Sequence, residues 1–275
     1  MEKIKVITST QNNFIRFIHS LKKKKVREEK GKFLLEGINS VREALKCEVE
    51  IPFFIFSEDL FKVKGGKELY EELEKLDPKS LVAVTPAILN KLSNTETPQG
   101  IIAVPSRLSW NESRLFSKNN SFIFILDGIQ DPGNMGTIIR TADALKVDGI
   151  IVSDDTVDHY NPKTVRSTMG AIFRVPIFKA EILKQYVEKL KENNYCVIGT
   201  TLREKSQSYE KVDYTKYNKI ALVIGNESRG ICEEVLQTLD FEIKIPILSD
   251  IDSLNAGVAT GISAYEIMKQ KSWRI

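Results

Sequence analysis

Three segments of the chain place glycines and polar side chains directly after stretches that predict buried strands. The first has the sequence DGIQDPGNMG at residues 127–136 and leads into the predicted helix TIIRTADAL. Its glycines permit a tight turn and the close approach of a ligand, but their spacing matches neither a dinucleotide fingerprint nor a P-loop. Asn134 is interpreted either as a functional side chain or as a helix N-cap. Arg140, about one helical turn after Gly136, faces either a pocket or solvent.

The second segment, LVIGNESRG at residues 222–230, places a carboxylate just beyond a strand that ends at Gly225. A carboxylate in this position can bind an arginine through two parallel hydrogen bonds. The alternative is that Glu227 is a solvated loop residue or lies at the start of a helix.

The third segment, IPILSDIDSLNAGVATG at residues 245–261, places Ser253 and Asn255 before a predicted helix, where either can act as the N-cap. One side of that helix carries only small side chains, which let another backbone pack closely. We interpret this side as a helix–helix interface, and core packing within one chain is the alternative. The small residues are Ala256, Gly257, Ala259, Gly261 and Ala264.

The amino-acid composition excludes several classes of protein. With 275 residues, 42% of them hydrophobic and 28% charged, the chain can bury a sizeable core, which excludes disorder as its main state. It has no apolar run long enough to span a bilayer and no secretory signal, so we expect a cytoplasmic protein. Three cysteines without a CxxC pair and two distant histidines argue against a disulfide scaffold and a metal cluster.

Basic charge is concentrated at the start of the chain. Residues 1–32 hold ten Lys or Arg against three Asp or Glu, although the net charge of the whole chain is only +3. This basic lead-in is either a solvated helix end or a surface that contacts a polyanion such as nucleic acid.

The pattern of strands and helices predicts two domains after the lead-in. Strands and helices alternate over residues 33–104, and a polar stretch at residues 105–120 is interpreted as a linker. Over residues 121–275 nearly continuous apolar strands alternate with helices, which predicts a mostly parallel sheet covered on both faces. Ligands of such sheets usually bind beyond the carboxyl ends of the strands.

Taken together, the segments DPGNMGTIIRTADA, LVIGNESRG and IPILSDIDSLNAGVATGISAYE resemble the three signature motifs of the SpoU (TrmH) branch of the SPOUT RNA methyltransferases. The sequence FLLEGINSVREAL at residues 33–45 resembles the substrate-binding domain of that branch's ribosomal-RNA enzymes, which is similar to kink-turn-binding ribosomal proteins. The resemblance implies an α/β fold with two domains: a C-terminal parallel-sheet SPOUT domain with a deep trefoil knot, and a smaller N-terminal α/β RNA-binding domain. It also implies S-adenosyl-L-methionine as cofactor and a homodimer with sites at its interface.

The catalytic and cofactor-binding residues of the family can be assigned to the matching positions of this sequence. The departure from the family pattern is that Ala256 and Gly257 stand where larger residues are common. The resemblance implies catalytic roles for Asn134, Arg140, Glu227, Ser253 and Asn255, and cofactor binding by Thr200, Thr201, Leu202, Gly225, Asn226, Glu227, Ile245, Leu254 and Asn255.

The implied reaction is methyl transfer to a ribose 2′-hydroxyl in RNA, above all in large-subunit ribosomal RNA, with no metal required. A guanidinium keeps its proton in proteins. Our hypothesis is therefore that Arg140 positions a phosphate and stabilises the developing alkoxide, rather than acting as a base. With an RNA substrate, the basic lead-in is expected to contact phosphates through Lys22, Lys23, Lys24, Lys25, Arg27, Lys30 and Lys32.

Alternative functions remain open at the level of sequence. A transfer-RNA 2′-O-methyltransferase would share the catalytic domain, but that branch generally lacks the domain at residues 33–104. A methylase that confers antibiotic resistance is a narrower variant. A catalytically silent RNA-binding or ribosome-assembly factor belongs to a different class, and the intact polar motif positions argue against it. A nicotinamide-dependent enzyme is disfavoured by the glycine spacing.

Overall fold

The structure is a computed structural model that describes residues 6–271. The first five and last four residues, which belong to the predicted lead-in (1–32) and methyltransferase domain (121–275), lie outside the described residues. The chain forms two compact units. One contains the residues up to Ser109 together with Asp158–Phe173, and the other contains Trp110–Val157 and the residues from Arg174 onward. Within residues 6–271 no helix is long and apolar enough to cross a membrane.

The first unit begins with two helices and continues as the alternation of strands and helices that the sequence predicts. Its sheet has the order β1-β4-β2-β3, in which β2 and β3 are parallel and β4 runs antiparallel to both of its neighbours. In chain order the elements are α1 (Asn13–Ser20), α2 (Lys24–Lys30), β1 (Leu35–Glu36), α3 (Ile38–Lys46), β2 (Phe53–Phe56), α4 (Gly66–Leu76), β3 (Leu81–Ala83), α5 (Pro86–Leu92) and β4 (Ile101–Val104).

The second unit is built on a seven-stranded sheet in which every described strand pair is parallel. The strand order is β7-β6-β5-β10-β8-β11-β9. The elements of the second unit are α6 (Ser113–Ser117), β5 (Ser121–Asp127), α7 (Pro132–Ala144), β6 (Gly149–Val152), β7 (Ile177–Lys179), α9 (Leu183–Glu192), β8 (Tyr195–Thr200), β9 (Gln207–Ser208), β10 (Lys219–Gly225), α10 (Glu233–Leu236), β11 (Phe241–Lys244) and α11 (Ala256–Lys271). Helix α8 (Pro162–Ser167), between β6 and β7 in the chain, belongs to the first unit.

The prediction of a parallel sheet over residues 121–275 is confirmed. Strand β5 is buried along its whole length, and β10 is buried at all but its end residues. Apolar side chains on both faces of these strands pack against covering elements, as expected for a parallel sheet. Helix α11 is one such element and packs on α7 and β10.

The segment that contains α8 packs with the first unit, although the sequence placed it in the domain at residues 121–275. Tyr160, Val165 and Phe173 are buried in the core of the first unit. The ring centroid of Tyr160 lies 4.5 Å from that of Phe33. The alternation of strands and helices along the chain gives no information on which distant segments pack together. The sequence therefore assigned these residues to the same domain as the residues next to them in the chain.

The stretch interpreted as a linker at residues 105–120 contains the short helix α6. Leu115 in this helix is buried in the core of the second unit. A single turn with one fully buried apolar residue carries too little periodic signal to be recognised among polar residues.

Arg27 is buried inside the first unit, so the prediction that it contacts RNA phosphate is wrong. The residue is 2% exposed, and its Nη2 lies 2.6 Å from Oδ2 of Asp158. Its Nη1 also donates to the carbonyl oxygens of Leu21 and Lys22, at 2.9 and 2.8 Å. Burial opposes ionisation of the Asp158 carboxyl, but the hydrogen bonds and charge of Arg27 hold its pKa below the usual value. Arg27 therefore links the turn between α1 and α2 to the segment at 158–173.

We expect the substitution Arg27→Met to lower the free energy of unfolding of the first unit by about 3–5 kcal/mol, because it leaves the Asp158 carboxylate buried without its cation. Chemical denaturation followed by circular dichroism measures this change.

Lys25→Gln is the matched control, since the Lys25 side chain is 87% exposed and its Nζ is 3.9 Å from the Glu29 carboxylate. Its effect should stay below about 1 kcal/mol. An Arg27→Met protein that is as stable as the wild type but binds RNA more weakly would contradict the structural role of Arg27.

Candidate active site

The three polar segments meet at one edge of the seven-stranded sheet. Strands β5 and β10 are adjacent and parallel, with Asp127 paired to Gly225 at their carboxyl ends. The loops that follow these two strands therefore leave the sheet side by side. The segment after β11 enters the same region through Asn255, immediately before α11.

The carboxylate of Glu227 joins the second segment to the first. One oxygen accepts a hydrogen bond from Nδ2 of Asn134 at 2.9 Å and from the backbone N–H of Asp131 at 3.2 Å. The other accepts from the backbone N–H of Gln130 at 3.1 Å. Burial opposes ionisation of Glu227, but these hydrogen bonds hold its pKa below the ordinary value. The negative charge also lies at the N-terminus of α7, where the helix dipole favours it.

Asn134 is not the N-cap of α7, because Asp131 takes that role. The Asp131 side chain accepts a hydrogen bond from the backbone N–H of Asn134 at 2.9 Å, and Pro132 occupies the first turn. The cap interpretation of Asn134 is therefore wrong, and its amide is available for other contacts. The residue is buried, at 8% exposed.

Asn255 does two things at once. Its Oδ1 accepts from the backbone N–H groups of Gly257 and Val258, at 3.0 and 3.2 Å, so it caps α11. Its Nδ2 donates to Oδ1 of Asn134 at 2.7 Å. One hydrogen-bonded series, Asn255 to Asn134 to Glu227, therefore connects all three segments.

These residues border a cavity of about 1020 Å³ in the second unit. Its wall combines apolar residues such as Ile224 and Leu254 with charged residues such as Arg203 and Lys244. Ser263 of α11 also lines the cavity, and its buried Oγ has no hydrogen-bond partner among the described residues. The predicted site residues in the wall are Asn134, Thr200, Thr201, Leu202, Gly225, Asn226, Glu227, Ile245, Ser253, Leu254 and Asn255.

Gly225 is required by the close approach of two backbone segments. A Cβ at this position would lie 2.3 Å from the carbonyl carbon of Gly230. Asn226 and Gly230 exchange two backbone hydrogen bonds, both 3.0 Å, which close the loop that carries Glu227. The Asn226 side chain donates to the carbonyl oxygen of Gly128 at 2.6 Å and so ties this loop to the one after β5.

Arg140 does not join the other predicted catalytic residues. It lies on the exposed side of α7 and is not part of the cavity wall. Of its two sequence interpretations, a surface position is the one that the structure shows.

A second polar network, which the sequence did not identify, supports the loop at 226–232. Buried Asp127 at the end of β5 accepts from the backbone N–H of Cys232 at 2.6 Å. Nη2 of Arg229 lies 3.7 Å from Asp127 and forms a hydrogen bond with Asp155. The available signal was a carboxylate directly after the apolar run at residues 122–126, since a buried charge needs partners.

The small side of α11 packs within the chain. A Cβ on Gly257 would lie about 3.0 Å from the side chain of Thr137 on α7. The buried residues of α11 include Ala256, Gly257 and Ala264, whereas Val258 and Tyr265 are 50% and 62% exposed. For the buried positions, core packing within one chain is therefore the correct alternative.

The predicted RNA-contacting lysines of the first unit differ in exposure. Lys23, Lys24, Lys25 and Lys30 are exposed. Lys22 is half-buried, and its Nζ donates to the carbonyl oxygens at positions 91 and 93, at 3.0 and 2.8 Å. Lys32 is also half-buried, with its Nζ 3.4 Å from Oγ of Ser106.

Within residues 6–271 no group of three or more His, Cys, Asp or Glu side chains is arranged to hold a metal ion. The amides of Asn134 and Asn255 and the ionised carboxylate of Glu227 lie at one edge of the cavity, where they can orient a bound group. The rest of the wall combines apolar residues with charged ones.

Comparison with known proteins identifies the two parts of the chain. Residues 121–265 match the model of the SpoU rRNA Methylase family, and residues 12–103 match that of the MRM3-like substrate binding domain. The 23S rRNA (guanosine(2553)-2'-O)-methyltransferase RlmP of Bacillus subtilis (strain 168) is 33% identical over 264 residues, covering 96% of this chain and 99% of that protein.

Two solved structures extend the comparison. The AdoMet-bound rRNA methyltransferase from Sinorhizobium meliloti has a TM-score of 0.84 at 29% identity, covering 96% of this chain and 97% of its own. A structure that was solved to explain the 2-OH methylation of C/U34 on tRNA has a TM-score of 0.51 at 26% identity. The match covers 57% of this chain and 100% of that chain. With its family motifs joined at one cavity and both parts matched, the chain belongs to the SpoU rRNA methylase family.

Proposed function

We propose that the protein transfers a methyl group from S-adenosyl-L-methionine to a ribose 2′-hydroxyl of large-subunit ribosomal RNA in the cytoplasm. The observation that carries the chemistry is the hydrogen-bonded series Asn255–Asn134–Glu227 at the edge of the cavity. RlmP, whose name specifies 23S rRNA, aligns with this chain over nearly the full length of both proteins. The choice of ribosomal over transfer RNA is supported by the match to a substrate-binding domain at residues 12–103. The whole of the tRNA-related structure corresponds to only 57% of this chain.

The cavity fits a cofactor of this size and character. Its volume of about 1020 Å³ is ample for an adenosyl amino acid, and its wall combines apolar residues with polar and charged ones. The buried Oγ of Ser263 lacks a partner within the described residues, so it is a polar atom that a ligand can satisfy. We propose that Thr200–Leu202, Gly225–Glu227, Ile245 and Leu254 hold the cofactor. When bound, S-adenosyl-L-methionine supplies a methyl group already activated on a sulfonium.

The chain's own contribution is to orient the reacting hydroxyl, whose proton is released to solvent as its oxygen takes the methyl group. Ionised Glu227 accepts a hydrogen bond from Nδ2 of Asn134, and Oδ1 of Asn134 accepts one from Nδ2 of Asn255. An amide oxygen has two acceptor positions, so Oδ1 of Asn134 can also accept from a ribose hydroxyl. Because Glu227 and Asn255 hold the Asn134 amide from both sides, its Oδ1 points in one direction. This lowers the entropic part of the activation free energy that aligning the attacking oxygen requires. Ser253 in the cavity wall provides a further hydroxyl for the ribose.

Arg140 serves a different purpose because it is exposed on α7. We propose that it contacts an RNA phosphate as a permanent cation. The exposed apolar residues Val258 and Tyr265 on α11 support a homodimer in which a second copy covers this surface. The trefoil knot implied by the family motifs is part of the same proposal.

The substrate is tested by methyl transfer from labelled S-adenosyl-L-methionine to protein-free large-subunit ribosomal RNA, with bulk transfer RNA in parallel. We expect label in a single ribosomal-RNA nucleotide, mapped as a position resistant to alkaline cleavage, because a 2′-O-methyl group blocks that reaction. Label only in transfer RNA would overturn the assignment to ribosomal RNA. Absence of cofactor binding in calorimetry would favour a catalytically silent RNA-binding protein.

The role of Arg140 is tested with Arg140→Lys, which keeps the charge but loses the planar pair of donors. We expect turnover to fall by about tenfold or more, since bidentate contacts to phosphate are lost. Lys146→Arg is the matched control, because Lys146 is exposed just beyond the end of α7. Turnover of Arg140→Lys close to that of the wild type would show that the guanidinium fork is not needed.

A further inference from the structure

Glu242 of β11 is a buried carboxylate that the reaction described above does not use. The residue is 7% exposed, and β11 lies between β8 and β9 in the sheet. A buried charge is costly unless it is paired and hydrogen-bonded. Its partners therefore indicate what it does.

Among the described residues, the side-chain partners of Glu242 lie on one loop, at residues 201–206. Oγ1 of Thr201 donates to Oε2 at 2.8 Å, and Nζ of Lys205 lies 2.6 Å from Oε1. Nη1 of Arg203 is 3.6 Å from the same oxygen. Thr201 also shares a hydrogen bond of 2.6 Å with Ser206, the last residue of the loop. Burial opposes ionisation of Glu242, but the hydrogen bonds from Lys205 and Thr201 hold its pKa below the ordinary value.

The same loop forms part of the cavity wall. It follows β8, and Thr201, Leu202 and Arg203 all line the cavity. The loop has no apolar anchor, since its apolar residue Leu202 is 58% exposed and its buried residue is Ser206. Its ends are held by the backbone bond from Thr201 to Ile243, 2.9 Å, and by the pairing of β9 with β11. Between these ends, the side-chain contacts to Glu242 hold the loop, together with a 3.5 Å contact from Nζ of Lys244 to the carbonyl oxygen of Glu204.

We propose that Glu242 is a positioning residue that holds the loop at 201–206 as a wall of the cavity and thereby sets the affinity for the cofactor. The proposal rests on the proposed function, in which this cavity binds S-adenosyl-L-methionine. Glu242 acts through Thr201, Arg203 and Lys205. Its loss should therefore weaken binding of any ligand that needs the wall, while leaving the groups that orient the ribose intact.

The test compares Glu242→Gln with the wild type, using S-adenosylhomocysteine as the probe in calorimetry. We expect the dissociation constant and the KM for S-adenosyl-L-methionine to rise by about tenfold or more, because hydrogen bonds to a buried charge are lost. The kcat at saturating cofactor should stay within about twofold, since only binding is affected. Glu242→Asp, which keeps the charge on a shorter side chain, should restore part of the affinity.

Glu204→Gln is the matched control, because it removes the same charge from an exposed position of the same loop. It should leave the dissociation constant unchanged. Limited trypsin digestion gives an independent readout, since Arg203 and Lys205 are both in the loop. We expect faster cleavage at these sites in Glu242→Gln than in Glu204→Gln, with equal cleavage elsewhere. If Glu242→Gln does not fold, Lys205→Gln removes a partner that does not line the cavity and should weaken binding in the same direction.

A folded Glu242→Gln protein with unchanged affinity and an unchanged cleavage rate at the loop would overturn the proposal. So would a fall in kcat without a rise in KM. If the wild-type protein itself bound no S-adenosylhomocysteine, the proposed function would fail, which is distinct from failure of the role of Glu242.

Discussion

The candidate site depends on one ionised carboxylate at the N-terminus of α7. Glu227 accepts hydrogen bonds from two backbone N–H groups, those of Gln130 and Asp131, and from the amide of Asn134. Free N–H groups at a helix N-terminus need acceptors, and here a residue from a different loop supplies them. The loops after β5 and β10 are therefore fixed to each other, and Asn134 has one orientation.

The sheet brings the loops that carry Asn134 and Glu227 close enough to contact each other. The pairing of β5 with β10 brings Asp127 and Gly225 together at the carboxyl ends of the strands. Gly225 allows the backbone of Gly230 to pass where a side chain would collide. Asn255 then adds the third segment while it caps α11, so the helix start and the site share one side chain. Stability of the loops and orientation of the polar groups thus come from the same hydrogen bonds.

Much of this arrangement could be predicted from the sequence, because its signals are local. Continuous apolar runs predicted strands such as β5 and β10, and parallel strand geometry placed the polar segments at a common edge. Motif resemblance selected Asn134, Glu227 and Asn255, but only the structure shows that hydrogen bonds join them into one series.

What the sequence could not provide is tertiary pairing. Arg27 looked like one of several cations in a basic stretch, yet it is buried against Asp158, which is far away in sequence. The sequence did not single out Glu242, whose partners lie in a loop without an apolar pattern. In both cases burial of the charge decides its role, and burial depends on segments that are distant in the chain.

The claim that Asn134 and Glu227 act as one unit is tested most directly by a double-mutant cycle on kcat. Glu227→Gln and Asn134→Ala should each lower kcat on the order of 10²-fold, because either change releases the acceptor that orients the ribose. The double variant should be no slower than the slower single variant, since residues that act as a unit are not additive. Glu234→Gln, an exposed carboxylate on α10, should leave kcat unchanged. If the two effects instead multiply, to about 10⁴-fold, the residues contribute independently and the hydrogen-bonded series is not the basis of orientation.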